Sequence, residues 1–188
     1  MIPYTVDRRA DTGVTNVRLG IWLFLASEVM LFGALFSSYA LLRVSAPAWP
    51  HGFDVLGVWF GVTHTIVLSI MTALVLRARS VPLAQGITLL LAGSFLAIVF
   101  LIVKSIEWRG EIAQGLVPSV NTFFAMYYML TGLHALHVVC GLAANVWVLL
   151  GARRVGEAMT AGRIYSIGLY WALVDIVWLT IFLLFYLT

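Results

Sequence analysis

Five side chains have the type and the position to do chemistry inside a membrane: Glu28, His64, His134, His137 and Asp175. Each lies near the middle of a long apolar run, within about 5 Å of its midpoint at 1.5 Å per residue. A carboxylate at that depth costs about 3 kcal/mol or more unless it is paired or neutralised. These groups are therefore expected to face inward, as a polar layer linking the first, second, fourth and fifth runs. Such a layer can carry protons, hold an ion or hold a cofactor. It can also be a set of interhelical hydrogen bonds that fixes packing, and spacing alone favours neither.

The elements that must position these groups are transmembrane helices. The chain of 188 residues is 62% hydrophobic and only 10% charged, against about 25% in ordinary globular domains. Its mean hydropathy is +1.02. Five runs, at 19–42, 55–76, 83–103, 123–150 and 164–187, have the ~20 apolar residues that a span requires. They are continuous, where a β-barrel would alternate in ~10-residue segments. An all-α bundle of five transmembrane helices is expected over 19–188, preceded by a polar segment 1–18. The first run is too long for a signal-peptide core and is read as a retained helix.

Basic residues set the expected orientation. Arg8, Arg9, Arg18, Arg77, Arg79, Arg153, Arg154 and Arg163 fall on one side; Arg43, Lys104 and Arg109 fall on the other. This places the N-terminus in the cytoplasm and the C-terminus outside. Trp49, Trp59, Trp108 and Tyr186 sit at span ends, where aromatic belts form. The net charge of +3 belongs to these flanks and gives no reason to expect a nucleic-acid partner. A single cysteine, Cys140, excludes an internal disulfide.

Spacing refines the picture. Tyr127, Thr131, His134, Val138, Gly141 and Asn145 share one helix face, as do Gly168, Trp171, Asp175, Trp178 and Phe182. Gly57 with Gly61, and Gly33 with Ser37, form small-xxx-small pairs that permit close helix approach. No nucleotide-binding or nucleophile-elbow motif is present. Glu28 is the only glutamate within the five runs, which argues against a di-metal carboxylate site. His64 with His134 or His137 has the makings of a haem ligand pair, but fits ordinary hydrogen bonding as well.

Three stretches carry a resemblance. WLFLASEVMLFGALFSSYALLR (22–43) resembles the Ser-Glu helix of haem–copper oxidase subunit III, with Ser27 and Glu28 as the motif. FFAMYYMLTGLHALHVVCGL (123–142) looks like that family's TGxHxxHVxxG helix. YWALVDIVWLTIFLLFYL (170–187) is similar to its terminal YWHFVDxVW helix, with Ala172 where the motif has His. Glu107 and Trp108 match an acidic-aromatic pair after the middle helix. The short five-helix form is common in bacterial versions of that family.

The resemblance implies a subunit with no haem or copper of its own, haem and copper being held by partner subunits. It implies packing against catalytic subunit I, together with subunit II, in a bacterial inner membrane. It further implies bound phospholipid and support of proton uptake and sustained turnover during aerobic respiration. Glu28 would be the buried carboxylate, and His134, His137 and Asp175 would hold helices together or meet lipid headgroups. Trp22, Glu107, Trp108, Trp171 and Trp178 would contact lipid or a neighbouring subunit. The alternatives are an accessory subunit of a nitric oxide reductase, a membrane haem-b carrier and an ion carrier.

Overall fold

A computed structural model describes residue 10 and residues 13–152 and 156–188. Most of the segment 1–18 lies outside the described residues, as do Arg8, Arg9, Arg153 and Arg154. The described chain is helical, with α1 at Asn16–Ser45, a single turn α2 at Gly52–Val55, α3 at Val58–Ala78, α4 at Leu83–Ala113, α5 at Thr122–Gly151 and α6 at Glu157–Tyr186. Five of these, α1 and α3 to α6, are long and apolar enough to cross a membrane, and no strand occurs among the described residues.

Helix ends are set by local chemistry. Thr15 caps α1, its Oγ1 accepting from the Arg18 amide at 3.3 Å. Asn121 caps α5 by accepting from the Phe124 amide at 3.0 Å, so each side chain satisfies an otherwise orphaned first-turn donor. Gly156 precedes α6 with φ of 78°, a left-handed conformation that glycine adopts without steric cost.

The main departure from expectation is α4. The sequence ends this span at 103 and places Lys104, Glu107, Arg109 and Glu111 in a loop. The helix instead continues to Ala113, about 15 Å further. The reason lies in its buried face: Gly86, Leu90, Gly93, Ala97, Phe100, Lys104, Glu107 and Glu111. Steps of four and three run through all eight, so one inward stripe changes from apolar to charged without leaving the core. The expectation that Glu28 is the only glutamate in a span is corrected accordingly. α6 also starts earlier than expected, and Arg163 sits on a helix rather than in a loop.

α6 is the centre of the bundle, packing on α3 and α5 most extensively and on α1, α2 and α4 as well. Close approach is made by glycines. A Cβ on Gly141 would stand 2.6 Å from the Trp171 ring, and one on Gly61 would stand 2.8 Å from both Phe182 and Tyr186. Those rings fill the space the glycines leave. α1 is different. Its buried residues are Leu25, Phe32 and Tyr39, one every second turn, against α5 and α6. Tyr39 anchors its end by donating to the Leu184 carbonyl at 2.7 Å. The chain between α1 and α3 folds over the C-terminal end of α6, where the Gly52 amide donates to the Thr188 carbonyl at 2.7 Å.

Candidate functional site

The ionisable groups do not form one layer. They separate into a charged cluster at the end of the bundle where α4 finishes and α5 begins, an imidazole and aromatic group beside it, a Glu–His pair that joins α1 to α5, and an aspartate on α6 set apart from the other ionisable groups.

The charged cluster is built by α4, α5 and α6. Lys104, Glu107 and Glu111 come from the inward stripe of α4, Tyr127 from the first turns of α5 and Tyr186 from the last residue of α6. Lys104 is 1% exposed, Glu107 3% and Glu111 6%. Lys104 Nζ donates to Glu107 Oε2 at 2.8 Å, to Tyr127 OH at 2.9 Å and to Tyr186 OH at 2.8 Å. All three ammonium protons are thus used. Tyr186 OH donates to Glu107 Oε1 at 2.6 Å. The single Tyr127 hydroxyl proton has two acceptors, Glu111 Oε1 at 2.9 Å and Glu107 Oε1 at 3.3 Å. Lys104 Nζ also lies 4.8 Å from the Tyr127 ring centroid and 5.5 Å from that of Trp178, so ring faces add to its stabilisation.

Beside this cluster lie His64 of α3 and His134 of α5, both fully buried. Each packs on Phe100 and Trp178, with ring centroids 4.9–5.6 Å apart. His64 Nδ1 is 3.7 Å from Glu107 Oε2, beyond direct hydrogen-bond distance. Among the described residues none of the four imidazole nitrogens makes a well-aligned direct hydrogen bond, His64 lying close to the Phe60 carbonyl of its own helix.

The Glu–His pair is a single bridge. Glu28 Oε2 and His137 Nε2 are 2.7 Å apart, with each side chain 14% exposed. His137 Nδ1 is 2.8 Å from the Leu133 carbonyl. A carbonyl only accepts, so that nitrogen carries a proton. The contact is then either carboxylic acid to imidazole or carboxylate to imidazolium, and the pair is neutral in both forms. Phe32 covers the imidazole edge-on at 5.0 Å, and Tyr170 OH donates to the His137 carbonyl at 2.7 Å.

Asp175 is half-buried on α6 beside the Thr72 hydroxyl of α3, and its Oδ1 makes no hydrogen bond among the described residues. Ser27, expected among the buried polar groups with Glu28, is instead exposed, because it lies on the side of α1 that no other described helix covers, and its hydroxyl donates to the Phe24 carbonyl of its own helix at 2.7 Å. Trp22 is exposed on α1, and Trp108 packs on Tyr128 at 6.0 Å between ring centroids. Three expected surface contacts are corrected. Trp171 and Trp178 are fully buried inside the chain, hydrogen-bonded to Asn145 at 3.1 Å and Thr65 at 3.1 Å, and Glu107 is a core residue. Tyr186, expected in an interfacial belt, is also buried. Each indole or phenol finds its polar partner on a neighbouring helix and has no need of the interface.

Hydropathy, and spacing within the five apolar runs, do not single out Lys104, Glu111 or Tyr186 as site residues, and they place Tyr127 only on the His134 face of its helix. The four-and-three spacing of α4 across residue 103 is the signal that finds the first two. Among the described residues no group of three or more His, Cys, Asp or Glu side chains is placed to hold a metal ion.

The opposite end of the bundle is basic and aromatic. Arg18 and Arg79 both lie over the Tyr165 ring, at 4.9 and 4.8 Å, and Arg163 lies 3.9 Å over Trp147. A cavity opens there, lined in part by Arg18, Arg79, Arg163 and Tyr165.

Comparison with known proteins agrees with this architecture. Residues 7–188 match the family model described as cytochrome c oxidase subunit III. The chain is 35% identical to the haem–copper oxidase subunit I+III of Aeropyrum pernix, over 92% of this chain and 23% of that protein. The chain thus spans under a quarter of that relative's length. It is 30% identical to the cytochrome bo(3) ubiquinol oxidase subunit 3 of Pseudomonas aeruginosa, covering 96% of this chain and 88% of that one. With the cytochrome c oxidase subunit 3 of Bacillus sp. strain PS3 it shares 29% identity, over 98% and 92% of the two chains. The five-helix bundle and the full-length match lead to one conclusion: the chain is a multi-pass membrane protein of the cytochrome c oxidase subunit III family.

Proposed function

We propose that the chain acts as the non-catalytic subunit III of a bacterial haem–copper terminal oxidase, packing against catalytic subunit I, holding phospholipid and sustaining proton uptake. The observation that carries this reading is the uncovered side of α1. Ser27, Gly33, Ser37 and Ser38 are exposed at membrane depth, and nothing lies within 4 Å of a Cβ built on Gly33. Small and hydroxyl residues on an open face favour close packing by another helix over contact with lipid chains. The Aeropyrum relative, whose name joins subunits I and III, supports subunit I as that neighbour.

Haem and copper belong to the partners in this reading, with subunit II completing the complex. The arginine and aromatic end suits phospholipid headgroups and the cytoplasmic side, which would put residues 1–18 in the cytoplasm and 19–188 in the membrane. Glu28, bridging α1 to α5 through His137, would hold α1 in place for the partner. His134 and Asp175 would serve packing, and Trp22 and Trp108 would meet lipid or a neighbouring subunit.

Purification through a tag on this chain, under mild detergent, tests the proposal. Haem-bearing subunits are expected to co-purify, with the separated chain colourless. A chain that purifies alone, or that keeps a Soret band after separation, contradicts it.

A further inference from the structure

The charged cluster and the two imidazoles form a line of polar groups through the bundle. Glu111 is bonded to Tyr127 at 2.9 Å, and Tyr127 reaches Glu107 at 3.3 Å. Lys104 and Tyr186 close on Glu107 at 2.8 and 2.6 Å. His64 stands 3.7 Å beyond, and His134 packs on the same Phe100 and Trp178 rings as His64. Both ends of this line stop at buried atoms that make no well-aligned direct hydrogen bond among the described residues: Glu111 Oε2, with the Tyr128 hydroxyl nearby, and Trp108 Nε1 at the rim, and the four imidazole nitrogens inside.

Buried polar atoms are satisfied either by protein or by internal water. A separation of 3.7 Å between a ring nitrogen and a carboxylate oxygen is the kind that a water spans. The charges point the same way. One lysine faces two carboxyls, so a neutral cluster carries one proton on the carboxyl pair. Tyr127 touches both carboxylates and can pass that proton between them.

We propose that His64, His134 and Glu107 bind internal water, and that this water completes a proton-exchange chain from Glu111 at the rim to His134 within the bundle. The ligand is water, and the groups that take and release the proton are Glu111, Tyr127, Glu107 and the two imidazoles, with Lys104 and Tyr186 fixing Glu107. A deuteron that enters at Glu111 is balanced by a proton that leaves by the same rim, so no net charge accumulates. The chain is separate from the Glu28–His137 pair, which shares none of these residues, and does not rest on the role proposed for the subunit.

The test uses the protein purified from its own membranes with its co-purifying subunits. Transfer into D₂O is followed by the infrared ring band of the His134 imidazole, assigned by its loss in His134→Leu. His64→Leu removes the polar atoms at similar volume and is expected to slow exchange at His134 roughly tenfold or more, since it removes a buried hydrogen-bonding link between the rim and that ring. His64→Gln keeps a donor and an acceptor and should exchange close to the parent rate. If His64→Leu does not accumulate, Tyr127→Phe, which removes the hydroxyl between Glu111 and Glu107, carries the same expectation. Equal exchange rates in the Leu and parent proteins overturn the proposal. So does a density map at water-resolving quality in which the four imidazole nitrogens are enclosed by protein atoms alone.

Discussion

The Lys104 cluster and the Glu28–His137 pair both bury charge within the membrane-spanning part of the chain, and they do so in opposite ways. Lys104 is held by three acceptors from three helices, and its neighbours share further hydrogen bonds. Glu28 has one partner, on a helix that α1 touches along a thin stripe. The first arrangement cannot lose Lys104 or Glu107 without leaving a buried charge unpaired. The second is neutral as a pair and joins only two helices, α1 and α5. Depth in the membrane therefore does not by itself tell a structural charge from an adjustable one; the number of helices that close on it does.

The sharpest way to break this contrast is Lys104→Met. It leaves Glu107 and Glu111 without their cation, and removing one partner of a buried pair costs about 3–5 kcal/mol. The chain is expected to fall to low levels in membranes or to melt well below the parent. Near-parental melting would mean that the cluster is hydrated and soft.

A second comparison sets Gly141→Val beside Gly33→Val. The first forces a side chain into Trp171, 2.6 Å away, at about 1–3 kcal/mol for an overpacked core. Gly33 has open space, so its substitution should leave the chain folded and weaken only association with a partner helix. Thermal melting and subunit recovery, measured together, separate the two. Equal loss of folding in both variants would place α1 inside the packed core.

Glu28→Gln tests the pair itself. A neutral amide keeps a hydrogen bond to His137, so the loss should be about 1 kcal/mol, with the complex assembled and its turnover declining sooner in long assays. Unchanged turnover removes a functional role for this carboxyl. Ser27→Ala should be the mildest change, within about 0.5 kcal/mol, because the exposed hydroxyl bonds only to its own helix.

The five spans were legible because each is a continuous apolar run, and hydropathy needs no knowledge of neighbours. The inward faces of α5 and α6 were legible for a related reason, since helical spacing groups Tyr127, His134 and Asn145, or Trp171 and Trp178, without reference to a partner. The end of α4 was hidden because hydropathy reads Lys104, Glu107 and Glu111 as a loop. Their compensation comes from Tyr127 and Tyr186, which lie 23 and 82 residues away from Lys104. Which ionisable groups meet was not readable either. His137 reaches Glu28 while His134, one turn earlier, turns to Trp178, and only the packing of α1 and α6 on α5 decides that.

Double-mutant cycles at the two sites, read by thermal unfolding of the intact complex, test the central claim most directly. The cycle joining Lys104 to Glu107 should give a coupling of about 3 kcal/mol, at the upper end for residues in one buried network. The cycle joining Glu28 to His137 should give about 1 kcal/mol. Equal couplings at the two sites, or a larger one at Glu28–His137, would contradict the account.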